Sequence, residues 1–296
     1  MLCPFCKKES LIFYNFNTDK SKIDLIFTCS SNTNMDQKPN LYKCKSCKLV
    51  FSEYVNTKFE NYYSDVNDKL YVEQISYKEE YFRLFVSKIR KYINKDSEVL
   101  EIGSFYGVLG SIIAPIVKSY TGVELSKHAS EYAIKNYKLN IINQSAEKLF
   151  NCDKKYDVIL MTDVIEHLDN PFRTIEMIQK NLTKNGFFIF STLNMDSLTS
   201  KILRKKYHWI ILMHKFYFST DVLKKICLNY KLKMIDVIND ERIISYKYFL
   251  WKINNYFPKW NFIINLMKKL QFLNNIKLKI NLYDLKIYVA QNKSEV

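Results

Sequence analysis

Two hydrophobic patterns divide this chain. Between residues 98 and 192, short apolar runs alternate with segments whose apolar positions recur every three or four residues. Residues 99–102, 120–123, 140–143, 156–162 and 187–192 read as strands, the last entered through a turn at Asn185-Gly186. Residues 107–116, 129–137 and 171–181 read as helices. Pro115 closes the first of these, while Asp169 or Asn170 caps the third, with Pro171 in its first turn. Ahead of the block, residues 75–93 place Tyr81, Phe82, Phe85, Val86, Ile89 and Ile93 at helical spacing. Strands alternating with helices predict an α/β, Rossmann-like, mostly parallel sheet with helices on both faces. Such sheets bind ligands at the carboxyl ends of their strands, so the residues just after each strand are the ones to question.

The C-terminal third is less regular. Residues 220–230 read as a helix, 233–238 as a strand and 282–290 as a final strand. Residues 246–273 suggest two amphipathic helices, the bulk of an insert at about 243–275 that would serve as a lid or as extra core.

The N-terminal segment follows neither pattern. Strand-like runs at 11–16 and 23–28 and a polar turn region at 30–40 lie between two cysteine pairs, Cys3-Pro-Phe-Cys6 and Cys44-Lys-Ser-Cys47. Each pair can present two thiolates from one knuckle, and two knuckles make a four-thiolate zinc site. That suits a zinc ribbon with Cys3, Cys6, Cys44 and Cys47 as ligands and Lys7, Lys8, Lys45 and Lys48 offsetting its negative charge. Four thiolates leave no open position, so the expected zinc is structural. Cys29, Cys152 and Cys227 are isolated and read as ordinary thiols. The first residues have no apolar signal core and no run reaches transmembrane length, which predicts a cytoplasmic protein with reduced thiols. The expected organisation is a zinc ribbon over 1–58, a linker and helix over 59–97, and a catalytic domain over 98–296.

Charge modifies this picture little. The net charge of +15 would suit an anionic partner. Only five of the 45 basic residues are arginine, the residue best suited to bidentate phosphate recognition. The excess reads mainly as a composition rich in Lys, Asn and Ile, with nucleic acid as the less favoured partner.

The stretch 98-EVLEIGSFYGVLG-110 holds three of the chain's five glycines. It fails the dinucleotide spacing G-x-G-x-x-G, because Phe105 takes the first position in the frame that ends on Gly107 and Gly110. An acidic-x-G-x-G-x-G pattern fits at Glu101, Gly103 and Gly107, with Phe105 at its middle glycine. Glu124 follows 21 residues after Gly103, at the end of the second strand, where a carboxylate can accept both ribose hydroxyls. Together with 156-YDVILMTDVIEHLDNPFRTIEMIQKNLTKNGFFIFSTLN-194, these residues resemble the class I S-adenosylmethionine-dependent methyltransferases. The likeness is to the subset related to ubiquinone-pathway and sugar or small-molecule enzymes. The cysteine knuckles, Leu49-Val50-Phe51 and Tyr62-Tyr63 resemble members that carry a zinc ribbon.

The resemblance implies a site for S-adenosylmethionine formed by Glu101, Gly103, Ser104, Phe105, Gly107, Glu124, Leu125, Ser145, Ala146, Asp163 and Val164. Ser145 stands where the family usually has an acidic contact to adenine, and Phe105 would pack its ring over the cofactor's edge. On the acceptor side, Glu166, His167 and His214 are the candidate catalytic residues. Three roles stay open: a divalent-cation site with Asp163, as in relatives carrying E-x-x-E-H and a later His; a histidine general base; or structural hydrogen bonding. The expected activity is methylation of a small molecule, a sugar or glycan precursor. The alternatives are an RNA-modifying methyltransferase and a non-catalytic cofactor-binding module.

Overall fold

The computed structural model describes residues 1–16, 38–58, 63–64, 66–146, 154–246, 249–250, 253–254 and 276–293. The expectations for residues 23–28, for Cys29 and Cys152, and for most of the 243–275 insert lie outside them. Near the N-terminus β1 (Ser10–Tyr14), β2 (Leu41–Cys44) and β3 (Val50–Ser52) pair in antiparallel sequence. Helices α1 (Lys69–Glu73) and α2 (Ile75–Ile89) lead into the alternating block. That block runs β4 (Glu98–Ile102), α3 (Val108–Ile113), β5 (Ser119–Glu124), α4 (Lys127–Tyr137), β6 (Ile141–Asn143), β7 (Tyr156–Thr162), α5 (Pro171–Asn181) and β8 (Leu182–Leu193). It continues with α6 (Leu198–Leu203), β9 (Phe216–Tyr217), α7 (Thr220–Asn229), β10 (Leu232–Asn239), β11 (Arg242–Ser245), β12 (Lys277–Ile280) and β13 (Leu285–Asn292).

The central sheet has the order β10-β13-β8-β7-β4-β5-β6. β6, β5, β4, β7 and β8 are mutually parallel, while β13 is antiparallel to both β8 and β10. Strand order reverses between β4 and β7, so the binding crevice opens over the carboxyl ends of those two strands. The sheet is buried on both faces, as the continuous apolar runs require. Leu100, Ile102, Ile159, Met161, Phe188 and Phe190 pack toward Ile175 and Ile178 of α5 and Leu223 and Ile226 of α7. Val99, Val158, Leu160, Ile189 and Val289 pack toward Phe85 and Ile89 of α2 and Leu109 and Ile113 of α3.

The caps carry much of the local logic. The Asn170 side chain accepts the Arg173 N–H at 3.1 Å, and Pro171 opens α5 behind it. Ser126 caps α4 through the Ala129 N–H, and Ser219 caps α7.

Two expectations need correction. The helical insert begins as a strand: Arg242–Ser245 pairs antiparallel with Lys277–Ile280. The last strand starts at Leu285 and not at residue 282, because Leu282 and Tyr283 are exposed at a turn where Tyr283 has φ 58°. β9 joins the N-terminal sheet as a fourth strand beside β3. Leu49 and Phe51 of the cysteine-bearing segment share one core with Phe172, Phe216 and Phe218. No helix among the described residues is long and apolar enough to cross a membrane.

Candidate active site and cysteine cluster

The crevice starts at the turn after β4. Gly103 has φ +75°, and a Cβ there would come within 2.4 Å of a Val164 methyl group, so the turn and the close approach to the loop after β7 both require glycine. Gly107, at φ +78°, opens α3, and its Cβ would strike Ala133 at 2.6 Å. Between them Phe105 also adopts the left-handed region, at φ 46°. That explains why the pattern calls for glycine there; a bulky residue in this region is disfavoured by roughly 1–2 kcal/mol. Two contacts hold it: its N–H donates to Glu124 Oε2 at 2.8 Å, and its ring meets Tyr71 and Tyr106 edge-on at 4.7 and 4.6 Å.

Glu124 is buried and also accepts the Ser126 N–H, at 2.7 Å through Oε1. Each oxygen keeps lone-pair capacity for another donor. Burial raises its pKa, opposed by the backbone hydrogen bonds from Ser126 and Phe105. Glu101 is buried beneath the loop and accepts the Tyr120 hydroxyl. Burial pushes its carboxyl up to about 8, against the stabilising Tyr120 bond, with the Glu124 charge adding to the rise. Ser104 is buried with its Oγ unpartnered, while Leu125 is partly buried beside Glu124, and Ser145 and Ala146 follow β6. Residues 66–73 lie across the loop. The Ser126 hydroxyl donates to Val66 O at 2.8 Å, and the Asp68 N–H donates to the Tyr106 hydroxyl at 2.8 Å.

Asp163, grouped with both the cofactor and the cation residues in the sequence, is also paired with Arg242. Both of its carboxylate oxygens accept from Arg242 Nη2, at 2.9 and 2.7 Å, and the Ser191 hydroxyl donates to it at 2.9 Å. Arg242 in turn lies over the Tyr81 ring at 4.5 Å. The sequence could not show this pair, which spans 79 residues.

The other three members of that set do converge. One ligand atom each from Glu166, His167 and His214 lies within 4.8 Å of the others. The two imidazoles meet edge-on at 4.6 Å. His214 Nδ1 sits 2.8 Å from the Trp209 carbonyl and His167 Nδ1 3.2 Å from the Met213 carbonyl. A carbonyl can only accept, so both rings carry the proton on Nδ1 and leave a lone pair on Nε2. The Tyr63 hydroxyl lies 2.9 Å from His167 Nδ1 and shares that proton. Burial drives His167 down to about 4, and burial, with His167 next, takes His214 well below its ordinary value. Glu166 is buried, one oxygen has no hydrogen-bond partner, and burial, then the Asp163 charge, pushes its carboxyl to about 8. Two neutral imidazoles braced through Nδ1–H and an orphaned carboxylate oxygen fit a divalent cation with open positions for other ligands.

The cysteine cluster is of the closed kind. Cys3 and Cys47 sulfurs are 3.6 Å apart, Cys6 and Cys44 3.4 Å, and all four lie within 4.8 Å of one another. These are far longer than a disulfide's ~2.05 Å. They approach the ~3.8 Å separation that a tetrahedron with Zn–S near 2.3 Å sets. The two knuckles repeat one geometry. Lys7 and Lys48, each just after a second cysteine, take φ 59° and 68° and fold their ammonium groups onto the carbonyls of Pro4 and Lys45.

Residues 73–237, more than half of the chain, match the family model described as a methyltransferase domain. Among curated proteins, the ubiquinone biosynthesis O-methyltransferase of Rickettsia typhi is 32% identical over 116 residues, which is 37% of this chain and 47% of that protein. The protein of the same name from Rickettsia conorii is 31% identical over 102 residues, 33% of this chain and 35% of that one. The matches thus span about half or less of these relatives' length. Among solved structures, a SAM-dependent methyltransferase from Thermotoga maritima is similar with a TM-score of 0.52 at 17% identity, covering 81% of this chain and 100% of that one. One from Archaeoglobus fulgidus gives 0.50 at 16% identity, covering 76% and 100%. At such identities the likeness is one of fold, the class I S-adenosylmethionine-dependent methyltransferase fold.

Proposed function

Because the chain belongs to the methyltransferase-domain family, we propose that it transfers a methyl group from S-adenosylmethionine to an oxygen of a hydroxylated small molecule. The cofactor supplies an electrophilic methyl on a sulfonium. Glu101, Gly103, Ser104, Phe105, Gly107, Glu124, Leu125, Ser145, Ala146 and Val164 would hold it. Glu101 offers a carboxylate to the ammonium end and Glu124 accepts from the ribose hydroxyls. Asp163 belongs to the same expected set, its carboxylate being also paired with Arg242.

Glu166, His167 and His214 would hold a divalent cation, whose chemistry there is to lower the pKa of an acceptor hydroxyl. The observation that carries this reading is the clustering of Glu166, His167 and His214, one ligand atom each within 4.8 Å of the others, with both imidazoles anchored at Nδ1 and one buried Glu166 oxygen unpartnered. It favours cation binding over a histidine general base. At about 4, His167 is mismatched to neutral pH and would draw a proton weakly. The relatives' printed name speaks of O-methylation in ubiquinone biosynthesis, which supports oxygen as the accepting atom and is silent on sugars. Phenols and sugar or glycan precursors are therefore the acceptor classes to screen. Cys3, Cys6, Cys44 and Cys47 would hold a structural zinc, with residues 1–58 as the ribbon, 59–97 as linker and helix, and 98–296 as the catalytic domain.

The test is methyl transfer from labelled S-adenosylmethionine to a panel of phenols, sugars and RNA, with and without a chelator of the acceptor-side cation. Cation-dependent O-methylation of a small molecule is expected. Methylation of RNA alone, or cofactor binding with no product across the panel, would contradict the reading. Zinc content of one ion per chain and a lower melting temperature after zinc is stripped are expected for the ribbon. An unchanged melting profile contradicts its structural role.

A further inference from the structure

Lys215 follows His214 directly, and its side chain is fully buried. A buried ammonium is stable only when paired. Here its Nζ donates to the Thr57 carbonyl and to Asp169 Oδ1. The backbone of the same residue makes two more ties. Its N–H, with that of Phe216, donates to the Glu166 carbonyl at 2.9 and 3.2 Å, and its carbonyl accepts the Ser52 N–H at 2.8 Å. One residue therefore joins three segments far apart in sequence. Ser52 and Thr57 belong to the cysteine-bearing segment, Glu166 and Asp169 to the loop after β7, and His214 to the segment entering β9.

The surrounding structure makes this a register device. Val50 and Phe51 of β3 pair with Tyr217 and Phe216 of β9. β3 is paired to β2, whose last residue is Cys44, a member of the sulfur cluster. A continuous path of strand pairing runs from the cysteines to the residue beside His214. His214 has its own anchor at the other end, the Trp209 carbonyl, and Trp209 Nε1 donates to Asp284 at 3.2 Å. The distance between His214 and the Glu166–His167 pair is thus fixed from both sides.

We propose that Lys215 is a positioning residue: it fixes the register between the cysteine ribbon, the Glu166–Asp169 loop and His214, which makes the ribbon a brace of the acceptor-side cluster. This rests on the reading of Glu166, His167 and His214 as the acceptor side. A cysteine knuckle, with zinc where it is bound, would through β2, β3 and β9 help to hold the two imidazoles at their separation. Apolar packing alone would tolerate small slips between β3 and β9, a pair only two residues long. A buried charge that must meet both Thr57 and Asp169 does not.

The experiment is imidazole nitrogen NMR on the full chain, which has only four histidines. Lys215→Met is compared with wild type, and Asp169→Asn, which keeps the shape and removes the charge partner, serves where the first variant folds poorly. Expected are displaced His167 and His214 signals, with His128 unmoved. S-adenosylhomocysteine affinity should stay within about twofold, because the hydrogen-bond partners Thr57, Asp169, Glu166 and Ser52 lie outside the cofactor loop. Stripping zinc from wild type should displace the same two signals. Unchanged His167 and His214 signals in a folded variant, or displacement of His128 and loss of cofactor affinity along with them, would overturn the proposal. Titration of wild type with Mn2+ separates this from the parent reading. Broadening of the Nε2 signals of His167 and His214 supports the cation site, and its absence removes the cation while the signal displacements still decide the positioning role.

Discussion

The two sides of the crevice are built differently. The centre of the proposed cofactor side comes from neighbouring elements: Glu101, the loop through Gly107 and Glu124 lie on β4, its turn and β5, and backbone N–H groups do most of the holding. The proposed acceptor side is assembled from Tyr63, Glu166–Asp169 and Trp209–Lys215, tied by side chains and by strand pairing with the cysteine-bearing segment. A loop of local origin can keep its shape through glycines and caps. A cluster of distant origin needs staples, and here they are Lys215, the Trp209 carbonyl and the β3–β9 pairing. The two sides should therefore fail independently.

The largest effect should follow loss of an acceptor ligand. His214→Ala removes one of two Nε2 donors, and turnover should fall roughly 10²–10³-fold. S-adenosylhomocysteine affinity should stay within about twofold. Steady-state rates beside calorimetric affinity check this, and a variant that loses cofactor affinity instead would erase the division.

Next comes Glu124→Ala. It removes the carboxylate that accepts two loop N–H groups and, in the proposed complex, the ribose hydroxyls. Charge-assisted hydrogen bonds of about 1.5–3 kcal/mol each imply a loss of cofactor affinity of roughly 30-fold or more. Equal affinity in the variant would remove Glu124 from the site.

The third effect is on pH. Glu101 is held near 8 in the free protein, chiefly by burial. Its folded pKa is raised, so the folded state keeps a proton that the unfolded chain has released above its ordinary 4.5. Stability of the free protein should therefore fall as pH rises from about 4.5 to 8 through this group. An ammonium placed against Glu101 favours the ionised form. Cofactor affinity should accordingly rise with pH, by at most about tenfold per unit, and level off near the free-state value. Glu101→Gln should flatten the profile, and an unaltered slope in that variant would assign the proton elsewhere.

The smallest effect is at the middle of the loop. Phe105→Gly relieves the left-handed strain but loses the ring contacts with Tyr71 and Tyr106 and frees the unfolded chain. The terms nearly offset, leaving a loss of about 1 kcal/mol. Thermal denaturation should show a melting temperature lower by a few degrees; a large stabilisation would mean the ring contributes nothing.

What could be read from the sequence divides along the same line. The alternating block, the glycine turn, the Asn170–Pro171 start of α5 and the two cysteine knuckles are set by local spacing, and the structure places them close to the predicted positions. Glu166, His167 and His214 stood out by residue type. Their companions did not. Arg242 reaches back 79 residues to Asp163, and Lys215 reaches back 158 residues to Thr57. In one dimension each is an unremarked basic residue among 45. The two-residue β9 has no periodicity to betray it. Tyr63 was visible as part of a tyrosine pair, but nothing local ties its hydroxyl to His167.

The most direct measurement is a crystal structure grown with S-adenosylhomocysteine. The account predicts the nucleoside spanning the ends of β4 and β5, its sugar on Glu124 and its amino-acid end toward Glu101, with the Phe105 ring at its border. A crevice sealed by that ring, or a ribose bound away from Glu124, would contradict it.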